Sequence, residues 1–139
     1  MKHKKYKQLT LSICLLSVIA VSEVRAQPAV IKLNEDQHSA NSIAYKINSA
    51  STVYYYVGLE KMIDKQWREI VLDISSATPG KTAILRKVKA EEPVSYNYLF
   101  KNIPPLYRKQ RHRYRFKLTY GPTITSIRRW AVSDTFYIP

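Results

Sequence analysis

Cysteine, glycine and acidic residues are all scarce in this 139-residue chain, and each shortage excludes something. The one cysteine, Cys14, lies in the N-terminal segment, so the remainder cannot form a disulfide and lacks thiolate for zinc or for Cys–His chemistry. Only His38 and His112 follow that segment, and Gly58, Gly80 and Gly121 stand too far apart for a phosphate-binding loop or a nucleophile elbow. Glu60, Glu69 and Asp73 are close enough in sequence to suggest a carboxylate pair for glycoside hydrolysis. Cross-strand pairing with Lys61 and Arg68 explains them more simply. With no site of recognisable chemistry, the expectation is a chain that is not an enzyme and needs no cofactor or metal. Ten Asp or Glu against 23 Lys or Arg leave a formal charge of +13.

A membrane-length apolar run is missing as well. The longest, residues 11–21, has about half the roughly 20 residues that a spanning helix needs. It is preceded by Lys2, Lys4, Lys5 and Lys7 and followed by Val24-Arg25-Ala26, the anatomy of a cleavable export leader over residues 1–26. The mature chain then begins at Gln27 and has no transmembrane segment. Lipidation at Cys14 is disfavoured, because Ile13 is bulky and the cysteine sits inside the apolar run. The expected location is periplasmic or secreted. Residues 27–139 suit a single domain that buries enough surface to stand without crosslinks.

Charge is divided unevenly along that domain. Residues 27–80 hold 5 Lys or Arg and 6 Asp or Glu, net −1, whereas residues 81–139 hold 13 and 3, net +10. A cationic face outside the cytoplasm would meet an acidic protein or an anionic polysaccharide or lipopolysaccharide.

Alternation of apolar and polar residues dominates the pattern. Extended segments are expected near 30–33, 42–48, 52–60, 82–88, 94–103, 112–120 and 125–138. Turns fall at 48–51, 75–81 (around Thr78-Pro79-Gly80) and Gly121-Pro122. Val53, Tyr55, Val57 and Leu59 share one face, and Ile84 or Leu85 is expected inward in the 82–88 segment. Residues 59–75 satisfy two periods at once. They read either as a helix or as a hairpin turning at Asp64-Lys65-Gln66 without the usual glycine. About seven short strands in about 110 residues are the signature of an antiparallel β-sandwich.

Within that pattern, Tyr54-Tyr55-Tyr56-Val57-Gly58-Leu59-Glu60, then Trp67-Arg68-Glu69-Ile70 with Asp73-Ile74, resembles the central hairpin of bacterial exported immunoglobulin-like or fibronectin type III-like domains. Tyr114-Arg115-Phe116-Lys117-Leu118 and Ser133-Asp134-Thr135-Phe136-Tyr137-Ile138 resemble their last two strands. Lys65 stands where such domains often carry glycine or asparagine. The resemblance covers most of residues 40–139, favours hairpin over helix, and implies an immunoglobulin-like sandwich of about seven strands that binds or spaces other proteins.

The sharpest candidate site is Arg111, Arg113, Arg115 and Lys117. Residues two apart on a strand leave the same face at intervals of about 6.6–6.8 Å, a ladder of cations suited to a repeating anion. Arg108 and Lys109 extend it into the preceding loop, and Arg128 and Arg129 fall on the segment expected to pair beside it. The alternating residues His112, Tyr114, Phe116, Leu118 and Tyr120 would enter the core. A solvated face that blocks edge pairing is the plainer reading of the same charges. Nucleic acid is disfavoured, because the tyrosines of this strand point away from its arginines. Tyr54, Tyr56, Tyr96 and Tyr98 form a second candidate contact surface, with core packing as the alternative. With the edge strands they suggest a second function, a structural or assembly subunit that joins a protein partner by strand addition and tyrosine contacts. Trp67 and Trp130 are expected to cap the core.

Overall fold

The computed structural model describes residues 28–75, 83–108 and 111–139. The leader, most of the 75–81 turn, and Lys109 lie outside the described residues. Among the described residues there are nine strands: β1 (Val30–Asn34), β2 (Ser42–Asn48), β3 (Val53–Ile63), β4 (Gln66–Val71), β5 (Arg86–Val88), β6 (Val94–Leu99), β7 (Arg113–Gly121), β8 (Arg129–Val132) and β9 (Phe136–Tyr137). All pairings are antiparallel. One sheet has the order β1-β2-β6. The other has the order β4-β3-β7-β8, with β5 also beside β3 and β9 also beside β7.

Period-two alternation drives the two sheets together. Val53, Tyr55, Val57 and Leu59 of β3 and Tyr114, Phe116, Leu118 and Tyr120 of β7 are buried against Ile43, Tyr45, Ile47 and Tyr98 of the smaller sheet. The Tyr45 and Phe116 rings meet at 4.6 Å between centroids, and Phe116 meets Phe136 at 5.1 Å. Each such buried ring contributes about 2–3 kcal/mol of apolar transfer energy. The hydroxyls of Tyr55 and Tyr96 hydrogen-bond across the sheets at 2.8 Å. At the entrance to β7 the Tyr114 hydroxyl donates to the Tyr107 carbonyl at 2.5 Å, tying the preceding loop to the core. Chain and side chains thus form an all-β sandwich.

Residues 59–75 resolve as a hairpin. Leu59 to Ile63 of β3 pair with β4, and the connection is the two-residue turn Asp64-Lys65. Both turn residues have positive φ, 50° and 62°, as the twist of a tight hairpin requires. A bulge between Leu59 and Glu60 brings the Val71 and Leu72 carbonyls within 3.1 Å of where a Cβ on Gly58 would sit, which is why that position has no side chain.

Three extended expectations shrink. The 94–103 segment is a strand only as far as Leu99 and then forms a 3-10 turn over Phe100–Asn102. Only Arg86–Val88 of the 82–88 segment pairs, leaving Ile84 and Leu85 exposed rather than inward. Asp73 holds that approach instead: its carboxylate accepts the Ser75 N–H at 3.0 Å and the Ile84 N–H at 2.8 Å. The 125–138 segment is interrupted where the Phe116 N–H donates to the Ser133 hydroxyl, so β8 and β9 are separate short strands on one flank of β7.

Candidate functional site

The outer face of the larger sheet carries Arg113, Arg115 and Lys117 of the candidate ladder, and the register of β7 orders them. Directly opposed residues share a face. Tyr56, Thr119 and Trp130 therefore form one row across β3, β7 and β8, and Gly58, Lys117 and Val132 form the next. Glu69, Glu60 and Arg115 make a third row, and Arg113 lies beside Tyr137 at the end.

The cation ladder is shorter and less free than its spacing suggests. Arg111 has φ of 62° and precedes the strand, so alternation does not carry it onto the face. Arg115 donates from Nε to Glu60 Oε2 at 2.6 Å, while its guanidinium lies 4.3 Å from the Trp67 ring centroid. Lys117 Nζ stands 3.7 Å from Glu60 Oε1 and 3.9 Å from Glu69 Oε2. Glu60 is nearly buried, which makes this ion cluster part of the sheet's structure. The centre of the ladder is thus neutralised internally. Arg113 stays exposed, as do Arg128 and Arg129.

Arg108 is committed elsewhere, donating to the Lys101 carbonyl at 2.8 Å and the Ile103 carbonyl at 2.9 Å within its own loop. Arg129 opposes Tyr120, so its side chain leaves on the opposite side from Trp130, which opposes Thr119. Of the carboxylates expected to pair with Lys61 and Arg68, Glu60 instead pairs with Arg115 and Lys117, Glu69 with Lys117, and Asp73 serves the loop. Lys61 is buried, with Nζ donating to the Tyr107 carbonyl at 3.1 Å.

The aromatic expectations also divide. Tyr96 and Tyr98 face the core and leave the contact-surface candidate, whereas Tyr54 and Tyr56 stay half-buried on the outer face, Lys87 lying over the Tyr54 ring at 5.7 Å. His112 is exposed rather than inward. Neither tryptophan caps the core: Trp67 stacks under Arg115 on the outer face, and Trp130 is 63% exposed in the middle of a paired strand. Tyr137 is 50% exposed beside Arg113.

Burial is the leading cause that raises the Glu69 carboxyl pKa. Lys117 works against the shift and neighbouring Glu60 adds to it. The folded chain therefore takes up this proton more readily than the unfolded chain, so the group favours folding below the usual glutamate range and loses that contribution as pH rises through its folded value.

The outer face offers exposed Arg113 and two well-exposed aromatic rings, Trp130 and Tyr137, around a neutralised centre, and these are residue types enriched at the cores of protein interfaces. Among the described residues, no helix is long and apolar enough to cross a membrane. The chain matches no protein-family model, no curated protein and no solved structure.

Proposed function

We propose that this protein is an exported, non-enzymatic binding module of immunoglobulin-like architecture. On this reading the outer face around Trp130, Arg113, Arg128 and Tyr137 receives an acidic protein surface. The observation that carries the reading is Trp130: a large apolar ring held 63% exposed on a paired strand, with Arg128 near it in sequence. Trp, Tyr and Arg are the common anchors of protein interfaces. An anionic envelope polymer would want a free, repeating row of cations, and internal pairing of Arg115 and Lys117 weakens that case.

The immunoglobulin-like part of the proposal is supported by two features. Successive strands are shared between the sheets in the order β1-β2-β6 and β4-β3-β7-β8. The Tyr114 hydroxyl bonds a backbone carbonyl seven residues upstream, as the tyrosine of an immunoglobulin-type corner does, and buried Phe116 follows two residues on, the spacing at which antibody domains carry a cysteine.

A photo-reactive phenylalanine analogue at position 130, expressed in cells with the full chain, tests the binding site. The expected product is a discrete adduct with an acidic protein, lost when Arg113 and Arg128 are both replaced by Ser. Retention on immobilised heparin serves as the polymer control. Retention that survives Trp130→Ala, with no protein adduct at position 130, would replace the protein partner by a polyanion.

A further inference from the structure

Among the described edge strands of three residues or more, β6 alone carries no charged residue. It pairs with β2 on one side, and no described strand covers the other. The Phe100 N–H donates to the Asn41 carbonyl, and the register of Ser42 with Leu99 then fixes the parity: Val94, Tyr96 and Tyr98 exchange hydrogen bonds with β2. Ser95, Asn97 and Leu99 consequently direct their N–H and C=O groups away from the sheet, and all three side chains are exposed on the solvent face.

Natural sheets protect such edges with charge, proline or a bulge. The other described flanks are guarded by charge or by brevity: β1 carries Lys32, β4 carries Arg68 and Glu69, β5 carries Arg86 and Lys87, β8 carries Arg129, and uncharged β9 is only two residues long. β6, Val-Ser-Tyr-Asn-Tyr-Leu, has none of these and pairs in unbroken register over its six residues.

From this geometry we propose that β6 joins a second copy of the same chain in an antiparallel pair whose two-fold axis passes through Asn97. The parity is self-consistent. Asn97 faces Asn97, and Ser95 faces Leu99 twice, so every residue with outward-directed backbone groups meets another of the same kind and six hydrogen bonds close. The ends are complementary in charge as well. β6 ends at Leu99, where the chain enters a 3-10 turn over Phe100–Asn102, so Lys101 of one copy lies at the same end of the seam as the Glu91-Glu92 turn that precedes β6 in the other, and the two-fold repeats the arrangement. A chain with a strongly basic second half could approach itself best along this uncharged seam. The result is one sheet of order β1-β2-β6-β6-β2-β1, an isologous interface of the commonest symmetry. It uses the smaller sheet and leaves the face around Trp130 open, so it stands independently of the proposed partner site.

Cysteine scanning reads the register directly. Opposed residues in a hydrogen-bonded antiparallel pair have Cα atoms about 5.5 Å apart, within disulfide range. Asn97→Cys is expected to give a covalent dimer on mild oxidation, and a mixture of Ser95→Cys and Leu99→Cys chains a mixed dimer, with Ser95→Cys alone and exposed Thr125→Cys lagging at least tenfold. Sedimentation should show reversible dimerisation of the unsubstituted protein at up to about 0.5 mM, because a seam this short lies at the small end of specific interfaces. Asn97→Lys should abolish it by setting like charges face to face, and an equimolar mixture with Asn97→Glu should restore it. A monomer throughout that concentration range would overturn the proposal. Equal crosslinking at 97 and 125, or rescue failing in the Lys/Glu mixture while each variant stays folded, would do so too. Capture of a different protein's strand by a monomeric chain would assign the edge to that partner instead.

Discussion

Glu60 shows how one side chain reverses the meaning of its neighbours. Read along the strand, Arg115 and Lys117 are free cations; opposite Glu60 they become the counter-charges of a nearly buried carboxylate. Removing them is therefore not a surface change. Arg115→Ser combined with Lys117→Ser should lower the unfolding free energy by about 2 kcal/mol, less than the roughly 3–5 kcal/mol for stranding one member of a fully buried pair because both cations keep some contact with water. Adding Glu60→Gln to that double variant should recover much of the loss, and urea denaturation of the set measures it. A double variant as stable as the parent would show the cluster to be an ordinary solvated pairing.

At the scale of the element, the β3–β4 hairpin is held by its register against a turn made of the wrong residues. Asp64 and Lys65 both adopt positive φ, which costs a non-glycine residue roughly 1 kcal/mol each. Lys65→Gly should raise stability by about 1 kcal/mol, read as a shift in denaturation midpoint without a change in slope. Destabilisation would mean that the lysine side chain contributes more than the strain it causes. The same hairpin explains why periodicity alone left residues 59–75 open between two structures: Leu59, Ile63, Trp67, Ile70 and Ile74 fit a helical stripe. The choice rests on Gly58 to Lys61 having β7 to pair with, a strand more than fifty residues away.

For the molecule as a whole, three tyrosines in the core link folding to alkaline pH. Burial pushes the Tyr98 phenol up to about 12, and burial lifts Tyr45 and Tyr55 further, Tyr55 also through its bond to Tyr96. All three pKa values are raised in the folded state, so their contribution is intact below pH 10 and is lost as pH rises through the folded values. Circular dichroism should show cooperative unfolding above about pH 10, where unfolded phenols ionise. The Tyr98 hydroxyl is buried without a hydrogen-bond partner among the described residues. Tyr98→Phe should therefore stabilise the protein by about 1 kcal/mol at neutral pH and weaken the alkaline dependence. A loss of stability on that substitution would show that the hydroxyl is satisfied in solution.

The strands themselves were legible because alternation is a local property: the 43, 45 and 47 and the 114, 116, 118 and 120 positions declare a buried face without reference to any neighbour, although Ser42 and Ala44 on the other side of β2 are buried as well. Fold class followed from their number and spacing. The site was legible only in part. Which residues project outward on β7 is local, but whether they are free depends on what an adjacent strand sets opposite them, and Glu60 lies 55 residues from Arg115. Likewise Trp130 differs from a core-capping tryptophan only because β8 pairs with β7 in the register that turns its ring to solvent. Sequence determines the period of each strand; tertiary pairing decides which charges cancel, which rings stay exposed and which edge is left open, because those depend on contacts the chain makes only after it has closed on itself.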